Sequence, residues 1–127
     1  MTENELSKIL VDIAYQIHVK LGPGLLESVY ENIFIYELNK RQIEFKQQIE
    51  VPIIYDGTKF SNSLRLDLLI EDMVIVELKS VEQVLPVHKK QLLTYMKLTN
   101  KKLGLLINFN EVLIKHGITR IVNKLTK

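Results

Sequence analysis

The sequence predicts an α/β fold in which helices flank a mixed β-sheet, with an element order of about ααβββαβ. Apolar residues recur at helical spacing in the first part of the chain, whereas residues 45–79 contain runs rich in strand-forming side chains. A further helical stretch precedes a short apolar run at residues 103–109. The 127 residues have the length of one domain, so we expect residues 1–127 to form a single domain.

The first two elements are predicted to be helices separated by a glycine-rich break. Thr2 and Glu5 have the spacing of a capping box, which starts a helix that reaches about Leu21. The sequence Gly22-Pro23-Gly24 then ends this helix. A second helix is predicted over residues 25–41, with an apolar stripe and two side chains that widen it: Leu26, Val29, Ile33 and Tyr36, with Phe34 and Leu38.

The middle of the chain is predicted to form three strands. Residues 45–55 alternate as a strand does, and Pro52 within them favours an edge strand or a bulge. Asp56-Gly57 is a strong signal for a hairpin turn. Two more strands are predicted over residues 63–70 and 74–79.

The last third of the chain is predicted to contain one helix and one buried strand. Pro86 suits the first turn of a helix that runs to about Leu98, where its missing N–H costs nothing. Residues 103–109 are mostly apolar, as in a strand covered on both faces. Residues 112–122 are ambiguous, and we interpret them as a short strand or turn followed by a weak terminal element.

Composition excludes several classes of protein. The chain has no cysteine, so it has no disulfide framework and no thiolate metal site, and a reducing cytoplasm is the expected location. No apolar stretch has the ~18 residues that a membrane span needs, and the acidic, polar start does not resemble a secretory signal. The net charge of +2 does not by itself indicate a nucleic-acid-binding protein.

The hairpin RLDLLIEDMVIVELKS (residues 65–80) contains Asp67, Glu77 and Lys79 at positions where folding alone favours apolar residues. A turn centred on Asp72 places Asp67 opposite Glu77 and Leu66 opposite Leu78, and it keeps one face apolar. Glu77 and Lys79 then share the other face, because strand side chains alternate. Directly opposed side chains have Cβ atoms roughly 5 Å apart, so the two like charges destabilise the pair.

Two adjacent carboxylates need a cation or a shared proton. Lys79 could supply part of that charge, but a divalent metal fits an oxygen-rich pair better. The residues alone leave a simpler arrangement open, in which this strand end is solvated and Lys79 pairs with Glu77.

Two helices carry polar residues that could join these charges. Glu27 lies in GLLESVY (residues 24–30), in the first turn of the second helix, with Tyr30 one turn further on. The helix dipole alone would also favour Glu27 there. The third helix has a polar stripe of His88, Gln91 and Tyr95. Several lysines around it could follow a phosphate backbone or could simply be solvated: Lys89, Lys90, Lys97, Lys101 and Lys102.

These motifs together resemble a known family. GLLESVY, with Gly24, Glu27 and Tyr30, is similar to the signature of the GxxExxY proteins, a branch of the PD-(D/E)XK nuclease superfamily. Asp67 followed by the ELK sequence at residues 77–79 resembles the metal and catalytic motif of that superfamily, although Leu66 replaces its usual proline. QLLTY (residues 91–95) resembles the Q-x-x-x-Y motif of its RecB-like branch. The resemblance extends from the helix around His18 to LGLLINF (residues 103–109), and it implies a restriction-endonuclease-like core.

The resemblance implies metal-assisted hydrolysis of phosphodiester bonds. Asp67 and Glu77 would bind Mg²⁺ or Mn²⁺ together with the Leu78 carbonyl, and Glu27 would support the metal directly or through water. Lys79 would act on the attacking water or on the developing charge. The remaining predicted site residues are Gln91, which would position the substrate or the water, and three substrate-binding residues: Tyr95, Tyr30 and His88.

The resemblance is compatible with more than one function. The implied substrate is nucleic acid, DNA more than RNA, with no membrane involved. A catalytically inactive module that keeps the nuclease fold and binds nucleic acid or protein is the competing hypothesis. A homo-oligomer, or a subunit of a larger nucleic-acid-processing complex, is compatible with either.

Overall fold

The computed structural model describes residues 1–125, apart from the side chain of Asn62. It has three α-helices, α1 (Glu3–Leu21), α2 (Glu27–Lys40) and α3 (Pro86–Thr99). One five-stranded sheet has its strands in sequence order: β1 (Phe45–Tyr55), β2 (Thr58–Ile70), β3 (Val74–Lys79), β4 (Leu103–Asn108) and β5 (Ile118–Val122). The β3–β4 pair is parallel and the other three pairs are antiparallel, so the predicted mixed sheet and α/β order are confirmed.

Helix α1 begins and ends as the sequence predicts. The Thr2 hydroxyl accepts a hydrogen bond from the Glu5 amide at 3.1 Å, and the Glu5 carboxylate accepts one from the Thr2 amide at 2.9 Å. Gly22 follows the helix with a φ of 68°, a conformation that glycine adopts without a side-chain clash. The buried residues of α1 lie at helical spacing and include Leu6, Leu10, Ile13 and Ile17.

The predicted buried side of α2 is confirmed at Phe34, Leu38 and the partly buried Ile33, and it is wrong at the rest of the stripe, Leu26, Val29 and Tyr36. The buried residues are Tyr30, Phe34 and Leu38, spaced four residues apart, whereas Leu26 is 73% exposed and Tyr36 is 63% exposed. The Tyr30 ring stacks on Phe109 with ring centroids 4.4 Å apart, and this contact turns the Tyr30 face of the helix toward the sheet. Aromatic residues contribute large buried areas, which explains why this face is buried rather than the face with Val29.

The first hairpin confirms the predicted turn and extends the second strand. Asp56 and Gly57 both have positive φ, 53° and 72°, as a two-residue turn of this type requires. β1 is an edge strand, and its register with β2 shifts between Pro52 and Ile54, so both predicted effects of the proline occur. β2 starts at Thr58 rather than at the predicted residue 63, because β1 pairs with it up to the turn.

The core consists of two clusters on opposite faces of the sheet. The first lies between the sheet and helices α1 and α2, and it includes Leu68, Val76 and Leu78. The second lies between the sheet and α3, where Gly104 of β4 permits close packing: a Cβ there would lie 2.8 Å from the Met96 sulfur.

The predicted turn register is confirmed near the turn and wrong at Leu66. Ile70 pairs with Val74, Leu69 with Ile75 and Leu68 with Val76. Leu66, however, packs in the second cluster rather than opposite Leu78 in the first. The alternation of β2 therefore breaks at Asp67. Asp67 and Gln48, which has a φ of 50°, fall between the pairs Gln47–Leu68 and Ile49–Leu66.

The ambiguous residues near the C-terminus form a turn and a strand. A short 3₁₀ segment, Ile114–His116, precedes β5, and β5 pairs antiparallel with β4. His18 of α1 contacts this region, with its Nε2 atom 2.7 Å from the Glu111 carbonyl oxygen.

Candidate metal centre

The centre of the site is the point where β2 and β3 separate. The paired residues closest to this point are Leu68 and Val76. Beyond them, the Asp67 amide donates to the Glu77 carboxylate at 2.8 Å, and the Leu78 amide donates to the Asp67 carboxylate at 3.1 Å. The two carboxylates thus accept hydrogen bonds that backbone carbonyl oxygens would accept in a regular antiparallel strand pair. This reciprocal pair of hydrogen bonds places both carboxylates between the diverging strands.

The environment makes ionisation of both carboxylates costly. The pKa of Asp67 is raised from 3.8 to about 6: burial is the largest cause, the hydrogen bond from the Leu78 amide opposes it, and the charges of Glu31 and Glu27 add to it. Burial also raises the pKa of Glu77 from 4.5 to about 8, and the neighbouring Asp67 charge is the second cause. Such a pair is stabilised by a proton or by a cation.

Lys79 is the cation next to this pair. It is half-buried, and its charge lowers the pKa of both Asp67 and Glu77 against the larger effect of burial. Lys79 takes part in none of the salt bridges found among residues 1–125. The simpler arrangement, a closed ion pair of Lys79 with Glu77, is therefore absent from this part of the chain.

Glu27 is the first residue of α2 and is half-buried. Its charge raises the pKa of both Asp67 and Glu77, so its electrostatic field acts on the carboxylate pair.

The loop that precedes Glu27 is fixed at two points. The Tyr30 hydroxyl donates to the Gly22 carbonyl at 2.6 Å and accepts from the Leu25 amide at 3.2 Å. The Ser80 hydroxyl, just after β3, donates to the Leu25 carbonyl at 2.6 Å.

Tyr30 is buried in the structure rather than exposed as a substrate-binding residue would be. Its side chain has 0% exposure, and its hydroxyl is engaged within the loop. A direct contact with substrate does not fit a side chain without exposed surface. The tyrosine instead connects the loop before Glu27 to the core.

Helix α3 brings one of its three predicted residues to the carboxylates. Burial raises the pKa of Tyr95, and the charges of Glu77 and Asp67 raise it further, so Tyr95 lies on the side of α3 that faces them. Gln91, one turn earlier, is exposed. His88 accepts a hydrogen bond from the Leu85 amide at 3.0 Å through Nδ1, and this contact caps the start of the helix.

Three residues near the site were not identified from the sequence: Glu31, Gln48 and Asn108. The Glu31 charge raises the pKa of Asp67, and both Glu31 oxygens accept from the Gln48 side-chain amide, at 3.2 and 3.0 Å. The spacing of Glu31 four residues after Glu27 is the signal that could have identified it. The buried Asn108 side chain bonds both the amide and the carbonyl of Val81, which orders the chain after β3.

The donor set fits a hard divalent cation. Asp67 and Glu77 offer carboxylate oxygens, and Mg²⁺ is commonly held by one or two carboxylates while it keeps several waters. No group of three His, Cys, Asp or Glu side chains within residues 1–125 could hold a metal ion by itself, so water and substrate oxygens would complete the coordination. A surface pocket lies elsewhere, at the start of β1 and the β2–β3 turn.

Comparison with known proteins agrees with this fold. The profile of the PD-(D/E)XK nuclease superfamily matches residues 4–121, most of the chain. The chain therefore belongs to the PD-(D/E)XK nuclease superfamily, whose nucleases generally use divalent metal ions and act on nucleic acid. No curated protein and no solved structure gave a significant match. None of the helices described in residues 1–125 is long and apolar enough to cross a membrane.

Proposed function

We propose that this protein is a metal-dependent nuclease of the GxxExxY type that hydrolyses phosphodiester bonds, with DNA as the more suitable substrate than RNA. The observation that supports this most is the reciprocal bonding of Asp67 and Glu77 to each other's strands. It holds together the half-buried carboxylate of Asp67 and the buried carboxylate of Glu77, and both pKa values are raised. Ionisation of this pair costs folding free energy at neutral pH, whereas a bound cation would offset that cost.

In this proposal the carboxylates form the metal site and the neighbouring residues act on the substrate. Asp67 and Glu77 would hold Mg²⁺ or Mn²⁺ with the Leu78 carbonyl, and Glu27 would support the ion through a water molecule. Such an ion, when bound, supplies a water of lowered pKa and neutralises charge on the phosphate. Lys79 orients the attacking water or stabilises the charge that develops on the phosphate.

The residues of α3 orient the substrate. Tyr95 faces the carboxylates, so its hydroxyl is well placed to contact a phosphate or the attacking water. Gln91 lies one turn earlier on an exposed surface, where it can contact the nucleic acid beside the cleaved bond. His88 has its Nδ1 occupied at the helix start, which leaves Nε2 for a phosphate oxygen.

The test is an incubation of the pure protein with labelled single- and double-stranded DNA and RNA, in Mg²⁺, Mn²⁺ or EDTA. We expect cleavage that requires the metal and that Asp67→Asn abolishes. Asp72→Asn is the matched control, because Asp72 is exposed, has a positive φ that asparagine tolerates, and forms only a surface ion pair. Binding without cleavage under every metal condition would instead support the inactive binding module.

A further inference from the structure

The β1–β2 hairpin extends well beyond the rest of the sheet. β2 pairs with β3 only at Leu68, Leu69 and Ile70, whereas its pairing with β1 continues to Thr58. Residues 51–65, which we name the arm, therefore form a ribbon of two strands. Most of its residues are exposed.

The arm carries large apolar side chains near its tip. Tyr55 is 73% exposed, Ile54 is 60% exposed and Phe60 is 46% exposed, and Lys59 lies among them. An isolated two-stranded hairpin is at best marginally stable in water. Exposed apolar groups on such an element indicate a surface that contacts a partner.

Packing and charge indicate which partner this is. Ile49 and Val51, at the base of the arm, pack against the core cluster of α3, so the base of the arm borders the sheet face that α3 covers. α3 carries three lysines and no acidic residue, whereas α2 carries three glutamates and one lysine. The side with α3 therefore suits a polyanion better than the side with α2.

The arm is also continuous with the candidate metal centre. Its second strand runs from Phe60 through Arg65 to Asp67. Phe60 is seven residues from Asp67. At about 3.3 Å per strand residue this separates them by about 23 Å, which corresponds to about seven base pairs of a duplex.

We propose that the arm is a nucleic-acid-binding element that enters the major groove of a duplex about seven base pairs from the cleaved bond. This inference rests on the proposed function. A two-stranded ribbon fits the major groove, where apolar side chains contact thymine methyl groups. Tyr55 and Phe60 supply the base contacts, and Lys59 contacts a phosphate. A second copy of the chain fits the arm less well, because stable protein interfaces exclude charges such as Lys59 from their centre.

The experiment measures duplex binding by fluorescence anisotropy in Ca²⁺, which blocks cleavage. The double variant Tyr55→Ala/Phe60→Ala is compared with the parent on duplexes of about 24 and about eight base pairs, both centred on the cleavage position. We expect about tenfold weaker binding of the long duplex and no change for the short one, which cannot reach the arm. Lys59→Ala should reduce the slope of log K against log salt by about one. Tyr15→Ala, an exposed tyrosine on α1, is the matched control and should bind as the parent does.

Two results would overturn the inference: parent-like binding of the long duplex by the double variant, or no duplex binding by the parent. A change of oligomeric state in the double variant, measured by sedimentation with binding unaltered, would assign the arm to self-association instead. Cleavage of the long duplex in Mg²⁺ separates this inference from the proposed nuclease function. If the parent cleaves and the arm variants bind normally, only the arm proposal fails; if the parent binds through the arm but never cleaves, only the nuclease proposal fails.

Discussion

At the residue scale, the charges that look misplaced in the sequence form the most informative part of the structure. The length of the β2–β3 turn brings Asp67 and Glu77 close together, so the sequence could predict their proximity, although the paired register ends at Leu68 and Val76. The sequence could not predict that each carboxylate bonds the backbone of the opposite strand. That arrangement depends on the local break in the side-chain alternation of β2, and the spacing of apolar residues in the sequence does not indicate this break.

The first prediction concerns metal binding by Asp67. Asp67→Asn should keep the fold, because the asparagine oxygen can still accept the hydrogen bond from the Leu78 amide. It should bind Mn²⁺ at least about tenfold more weakly, since a neutral amide is a poor ligand for a hard cation. Titration calorimetry measures this, with Asp72→Asn as the control. Unchanged affinity in Asp67→Asn would place the metal elsewhere.

The second prediction separates catalysis from binding at Lys79. Lys79→Ala should slow single-turnover cleavage by about 100-fold or more, the loss typical of a positioned electrostatic or proton-transfer group. Duplex binding in Ca²⁺ should weaken much less, because one lysine is one of several phosphate contacts. Lys89→Ala, on the exposed surface of α3, should weaken duplex binding more than it slows single-turnover cleavage. Normal cleavage by Lys79→Ala would refute the role of this lysine.

At the element scale, the sequence predicted the elements that have strong local signals. The capping box of α1, the Asp56-Gly57 turn and the limits of β3 are all determined by neighbouring residues, and all three agree with the structure. The buried face of α2 was predicted only in part, at Phe34 and Leu38, because its orientation also depends on Tyr30 stacking against Phe109, a contact between residues far apart in the chain. Propensity and spacing carry no information on such contacts.

The third prediction concerns the loop before α2. Tyr30→Phe keeps the stacked ring but removes the hydrogen bonds to Gly22 and Leu25. We expect a loss of about 1–2 kcal/mol in unfolding free energy, because the Gly22 carbonyl and the Leu25 amide lose their partner. Single-turnover cleavage should fall about tenfold, since Glu27 is then less well positioned.

Denaturant unfolding and single-turnover kinetics measure the two effects of Tyr30→Phe, and a pH–rate profile tests whether the loop acts on the site. Tyr36→Phe is the control, since Tyr36 is an exposed tyrosine on the same helix. A loss of stability with an unchanged rate and an unchanged pH profile would limit Tyr30 to a structural role.

At the scale of the whole molecule, the carboxylate pair connects metal binding to folding stability. Asp67 and Glu77 have pKa values of about 6 and about 8 in the folded protein, above their ordinary values of 3.8 and 4.5. Between about pH 4 and pH 8 the folded protein therefore binds more protons than the unfolded chain does. The contribution of these groups to stability is fully present below their unfolded pKa values and is lost as pH rises through the folded ones.

The fourth prediction follows from this sign. In EDTA, the free energy of unfolding should fall between pH 5 and pH 8.5 through these two groups, by at least about 1 kcal/mol. Mn²⁺ should counteract the loss, because it binds the ionised carboxylates and its stabilising effect grows as their protons leave. Urea unfolding at several pH values, with EDTA or Mn²⁺, measures both effects. Glu77→Gln is the decisive comparison, because a glutamine side chain cannot ionise. In EDTA this variant should have a free energy of unfolding that depends less on pH. Mn²⁺ should stabilise it much less than it stabilises the parent. The same slope in the parent and in Glu77→Gln would show that other groups control the pH dependence.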